Sequence, residues 1–126
     1  MAAIDEVVSA YGAAWLEKED AGRLRLLEIA VSDEFLYQDP TAEIVGRKAL
    51  AEHIAGFQKR MPGAAIHITS GADHHHNRFH FEWRMVDPVG QTTLEGRDFG
   101  ELDRNGQIRL IVGFFGPPPP SETADN

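Results

Sequence analysis

Gln91-Thr92-Thr93-Leu94-Glu95-Gly96-Arg97-Asp98-Phe99-Gly100-Glu101-Leu102 is the stretch that decides how this chain folds. Successive side chains on a strand point to opposite faces. One face here carries Leu94, Gly96, Asp98, Gly100 and Leu102; the other carries Thr93, Glu95, Arg97, Phe99 and Glu101. The second set is mostly polar and belongs against solvent or a partner. The first is apolar or small, so it points inward. Asp98 then stands alone among apolar neighbours, with a glycine two residues to either side clearing space beside it. A carboxylate taken out of water either collects hydrogen-bond donors or keeps its proton with a raised pKa.

The flanking segments extend the same sheet. Arg78 to Val86 alternates strictly, with Phe79, Phe81, Trp83 and Met85 on one face, and Asp87-Pro88-Val89-Gly90 supplies the turn into the next strand. Asp103-Arg104-Asn105-Gly106 is a second turn, its Asn-Gly pair a hairpin signal, leading into Gln107 to Phe115. The Ile- and Thr-rich run Ala64 to Ala72 completes an antiparallel meander of four strands.

Upstream, the period changes. Ile4, Val7, Val8, Tyr11, Ala14 and Trp15 recur at helical spacing, predicting a helix from Ile4 to about Lys18. Asp20 is placed to cap a second helix carrying Leu24, Leu27 and Val31 and ending near Ser32. A short strand, Glu34 to Asp39, stops at Pro40. A third helix, from about Arg47 to Lys59, buries Leu50, Ile54 and Phe57 and ends at Pro62-Gly63. Helices segregated from a meander make an α+β fold. Pro117 to Pro120 cannot continue a sheet. Residues 1–116 therefore read as one domain and 117–126 as a proline-rich polar tail.

The 126 residues are 42% hydrophobic and 25% charged, an ordinary globular balance, and the formal net charge of −8 disfavours nucleic acid. With no cysteine, a disulfide framework and thiolate metal sites are excluded, which fits a cytoplasmic location. No apolar run reaches membrane-spanning length, and the amino terminus lacks the features of a signal peptide, so no membrane association is expected.

Phe35, Tyr37 and Asp39 share one face of their short strand. Asp39 either initiates the turn at Pro40 or joins Asp98 at a pocket. The last strand is apolar on both sides, Ile108, Leu110, Val112 and Phe114 alternating with Arg109, Ile111, Gly113 and Phe115. One side lines the pocket. The other needs a cover, most simply a second copy packed on the outer sheet face as a homodimer, or else a terminal segment folded back. His74, His75 and His76 fall in a loop and read as solvated, and no metal site is expected. His53 lies beside the apolar stripe of the third helix, at the pocket rim or on the surface. No nucleotide fingerprint or nucleophile elbow is present, so no cofactor is indicated.

Tyr11-Gly12-Ala13-Ala14-Trp15, Ser32 to Pro40, Gly46-Arg47, Gly96-Arg97-Asp98-Phe99, and Asp103 to Ile108 ahead of Gly113-Phe114-Phe115 occur in an order that resembles the nuclear-transport-factor-2-like superfamily, in its SnoaL-like and ketosteroid-isomerase-like branch. The resemblance spans about Val7 to Phe115. It implies a cone-shaped α+β barrel, with three N-terminal helices packed on a curved, mainly antiparallel mixed sheet around a deep pocket, commonly dimeric. It matches Asp39 to the proton-shuttling Asp of ketosteroid isomerases, Asp98 to the Asp held protonated there, and Tyr11 to the oxyanion tyrosine. Asp98 also resembles the acid/base Asp of SnoaL-like polyketide cyclases. The Arg-x-Asp pattern of limonene epoxide hydrolases is missing, because Arg97 and Asp98 are adjacent and face opposite ways.

Two functions follow as expectations. One is cofactor-free acid/base proton transfer on an apolar carbonyl compound such as a steroid or polyketide. Asp39 would be the base and Asp98 a neutral donor or an alternative acid, within walls formed by Trp15, Phe35, Tyr37, His53, Phe81, Trp83, Ile111 and Phe115. The other is a non-catalytic binding domain for an apolar small-molecule ligand in the same cavity.

Overall fold

The apolar stripe of the first segment forms helix α1 (Ile4–Leu16), which buries Val7, Val8, Tyr11, Ala14 and Trp15. Asp5 and Glu6 sit in its first turn, where the positive end of the helix dipole favours them. The helix stops two residues short of Lys18 for a tertiary reason. Arg23 is 2% exposed and donates to the Glu17 carbonyl at 2.8 Å, while the Gln58 amide donates to the carbonyls of Trp15 and Glu17. These long-range bonds satisfy the carbonyls that a helix end leaves open.

Helix α2 (Asp20–Ala30) follows, flanked by an extended Glu19. Asp20 is its first residue rather than its cap; its carboxylate accepts from Arg23 at 2.8 Å instead. The chain passes directly into strand β1 (Val31–Asp39), so Val31 and Ser32 are extended, not helical. Pairing of Val31 with Ile108 and two bonds from the Arg47 guanidinium to the Val31 carbonyl hold them so. A two-residue turn at Pro40-Thr41 returns strand β2 (Ala42–Val45), which sequence periodicity is too short to reveal. Helix α3 (Arg47–Arg60) buries Leu50, Ile54 and Phe57.

The rest is strand: β3 (Ala65–Ile68), β4 (Asp73–His75), β5 (Arg78–Val86), β6 (Thr92–Leu102) and β7 (Ile108–Phe115). His74 and His75 are thus in β4, not a loop. Only His76 turns, with Asn77, both at positive φ, as a two-residue hairpin to β5 requires. The structure describes residues 3–122 of this computed structural model.

One seven-stranded sheet results, in the order β2-β1-β7-β6-β5-β3, with β4 also on β5. The β1–β7 pair is parallel and the others are antiparallel. The sheet curves but does not close into a barrel; its path ends in the four-residue strands β2 and β3. The three helices pack across its concave side, with α1 against β3 and α3 against β1 and β2. Alternation on β7 is broken once. Glu101 pairs with Leu110 but Leu102 with Ile108, so Arg109 is an extra residue, a bulge. It turns Ile108 inward along with Ile111, leaving Leu110, Val112 and Phe114 on the convex face.

Candidate active site

Register brings the two aspartates to one row of the concave face. Phe81 pairs with Asp98 and Asp98 with Gly113, while Gln38 pairs with Val112, which puts Asp39 beside Gly113. A methyl on Gly113 would lie 2.9 Å from Asp98 Oδ1 and 3.4 Å from Asp39 Cβ. The glycine is the gap across which the two acids approach. Its position in a mixed-facing strand carries no such signal in the sequence.

Asp98 is 7% exposed, and the Trp83 indole N–H donates to its Oδ1 at 3.0 Å. Burial, opposed by that one bond and reinforced by the charge of Asp39, lifts its pKa to about 7. Gly96 and Gly100 do not leave open space beside it. A methyl on Gly96 would come within 2.7 Å of Trp83 Cε2, and one on Gly100 within 2.7 Å of Phe79 Cε1. The absent side chains make room for two aromatic rings, and one of those rings holds the carboxyl.

Asp39 has the opposite environment. Tyr37 Oη donates to its Oδ2 at 2.5 Å, and the Thr41 amide and hydroxyl each donate to Oδ1 at 2.7 Å. Its partial burial would raise the pKa, but these donors, with His53 nearby, outweigh it and hold the carboxyl below its ordinary value. Asp39 holds the turn through Thr41 and also stands at the edge of the cavity. The sequence reading did not single out Thr41, though the local Asp-Pro-Thr turn could have disclosed it.

Tyr11 is buried against Phe81, ring centres 6.3 Å apart. Among the described residues its hydroxyl has no hydrogen-bond partner of good geometry, though the Trp15 indole interacts weakly. Burial, then the Asp98 charge, push its pKa up, so it stays a donor. His53 packs on Tyr37 at 5.6 Å and on Trp15 at 6.0 Å. Burial, against the Asp39 charge, lowers its pKa, leaving the imidazole neutral at pH 7.

These groups surround a cavity of about 220 Å³. Tyr11, Trp15, Tyr37, Asp39, His53, Phe81, Trp83, Asp98 and Phe115 line it. Phe35 and Ile111 do not. Both are fully buried in the core between sheet and helices, so their proposed contact with a substrate is corrected. Phe57, Arg60 and Met61 also line the cavity. They follow His53 at helical spacing, and the stripe through His53 could have disclosed them. Among the described residues, no three His, Asp or Glu side chains stand together to hold a metal. No helix there is long and apolar enough to cross a membrane.

The Trp83 bond carries a prediction. Trp83→Phe removes the donor that favours the charged form, so Asp98 should titrate above about 7, read by carboxyl carbon NMR. An unchanged or lowered midpoint would contradict the assignment.

No family sequence model matches the chain, and no curated protein does. Solved structures do. A provisionally named isomerase of the SnoaL-like family from Agrobacterium tumefaciens superposes with a TM-score of 0.82 at 29% identity, over 88% of this chain and 95% of that one. An NTF2-like protein of unknown function from Cytophaga hutchinsonii gives 0.68 at 12% identity, over 93% of each chain. A provisionally named SnoaL-like polyketide cyclase from Jannaschia sp. gives 0.64 at 14% identity, over 91% of this chain and 89% of that one. The last two share the fold alone. The open cone of sheet and helices is the nuclear-transport-factor-2-like fold. The likeness to the Agrobacterium protein supports placement in the SnoaL-like branch of that superfamily.

Proposed function

We propose that this protein moves a proton on a small apolar carbonyl compound, with Asp98 carrying the proton and Tyr11 donating to the oxygen. The observation behind this is the convergence of two unlike carboxyls and a buried phenol on one apolar cavity. Ionised Asp98 would take a proton from the carbon beside the carbonyl. The C–H electron pair then forms a carbon–carbon double bond, and the carbonyl pair moves to oxygen under the Tyr11 O–H. Asp98 returns the proton at the same or another carbon. A carboxyl near pH 7 in affinity suits both halves of that exchange.

Asp39 was the expected base. Its three donors make it the weaker one, and its role here is to remain charged and keep the proton affinity of Asp98 high. On this reading the rate rises with pH through about 7, as Asp98 ionises. Asp39→Asn should move that rise to lower pH, because removing the neighbouring charge eases ionisation of Asp98. The test is deuterium exchange at enolisable carbons across a ketone panel, followed by NMR as a function of pH. Retained binding without exchange would leave only a ligand-binding domain.

The reading includes a homodimer. Phe114 is 55% and Phe99 37% exposed on the convex face, beside Val112 and Leu110. Phe114→Glu should convert a dimer to monomer in sedimentation; a wild-type monomer would refute the assignment. The absence of cysteine is in keeping with a cytoplasmic setting.

A further inference from the structure

Among the described residues, Arg60 is the one permanent cation lining the cavity, in a chain whose net charge is −8. It ends α3, seven residues after His53, and its guanidinium folds back along the helix. Arg60 Nη1 lies 3.2 Å from where a methyl on Gly56 would be, so the glycine gives it room. No carboxylate of the described residues lies within ion-pair distance of it. Asp39 is committed to Tyr37 and Thr41, and His53 is neutral, held so in part by the Arg60 charge itself. A helix C-terminus welcomes a cation, and Lys59 and Arg60 both stand exposed at this one. Arg60 differs from Lys59 in lining the cavity, so it sets a positive charge at the edge of a largely apolar space.

Size narrows the guest further. An apolar cavity of about 150 Å³ accommodates benzene, so about 220 Å³ suits a body of one or two rings rather than four. We propose that the ligand is a compact apolar acid, its ring body between the aromatic walls and its carboxylate paired with Arg60. Where it also carries a carbonyl, that end meets Tyr11 and Asp98; this clause alone rests on the function proposed above. A bidentate guanidinium–carboxylate pair supplies both orientation and selection against neutral analogues.

The experiment compares acids with their primary amides, which match in shape and differ in charge. Probes are phenylacetate, 4-oxo-4-phenylbutanoate and the corresponding amides, titrated calorimetrically into the wild type, Arg60→Gln and Arg60→Lys. The wild type should bind each acid at least tenfold more tightly than its amide. Arg60→Gln should bring that ratio near one while still binding the amides, and Arg60→Lys should restore part of the preference. If no acid outbinds its amide, or if Arg60→Gln keeps the ratio, the proposal is overturned. Thermal melts of the three proteins separate it from a role at the helix end, which would change stability and leave the ratio alone. Deuterium exchange into 4-oxo-4-phenylbutanoate reads the catalytic function separately. Selective binding without exchange supports the acid and removes the catalyst; exchange without selectivity does the reverse.

Discussion

Asp98→Asn should abolish proton exchange and, above neutral pH, make the protein more stable than wild type. Loss of the proton carrier removes a contribution of about 10²- to 10⁴-fold. The gain in stability follows from linkage. In the unfolded chain this carboxyl ionises near 3.8, and in the fold at about 7. Between those values the native state holds a proton that the unfolded state has released, so stability falls as pH rises. Above about 7 the fold carries the full penalty of a buried charge, up to roughly 4 kcal/mol at about 1.4 kcal/mol per pH unit. The amide cannot ionise and escapes it. The measurement is the melting temperature of both proteins at pH 5 and pH 8. The variant's advantage should grow between them, whatever fixed cost the amide carries. A constant difference would mean that Asp98 ionises normally and that the site has no tuned acid.

Gly96→Val should be the most destabilising single change near the site. Its side chain would enter the space occupied by the Trp83 ring and approach the Phe114 carbonyl, backbone that cannot rotate away. Overpacking of this kind costs about 1–3 kcal/mol when neighbours can shift, and more when they cannot. Trp83 can yield only by surrendering its bond to Asp98 and its edge contact with Phe115, 5.8 Å between ring centres. We expect a loss above about 3 kcal/mol in urea denaturation, beyond what overpacking costs where neighbours can relax. Survivors should also show Asp98 titrating higher. A variant within 1 kcal/mol of wild type, by contrast, would be of the size expected for surface changes and would show that the ring is free to move.

Both predictions rest on relations between strands that no local pattern contains. Alternation showed that Asp98 faces inward, because a period of two is a property of the strand itself. It could not show that Trp83 occupies the space above Gly96, since cross-strand register depends on the turn at Asp87 to Gly90 and on a shift between Met85 and Val86. Phe35 looked like a wall because it shares a face with Tyr37. Two residues along a strand are enough to carry a side chain from the cavity into the packed core.

Sequence by itself determined the α+β architecture, the inward face of β6 with its lone carboxyl, and the aromatic face of β5. Those follow from periodicity and turn chemistry, which act over a few neighbours. Tertiary structure decided which acid keeps its proton. Asp39 and Asp98 are the same residue type, and their proton affinities diverge because one meets three donors near the surface and the other meets one donor in the core. The Arg109 bulge, the gap at Gly113 and the place of Arg60 beside the cavity were likewise settled only when distant segments packed, since desolvation and charge depend on what surrounds a group in space.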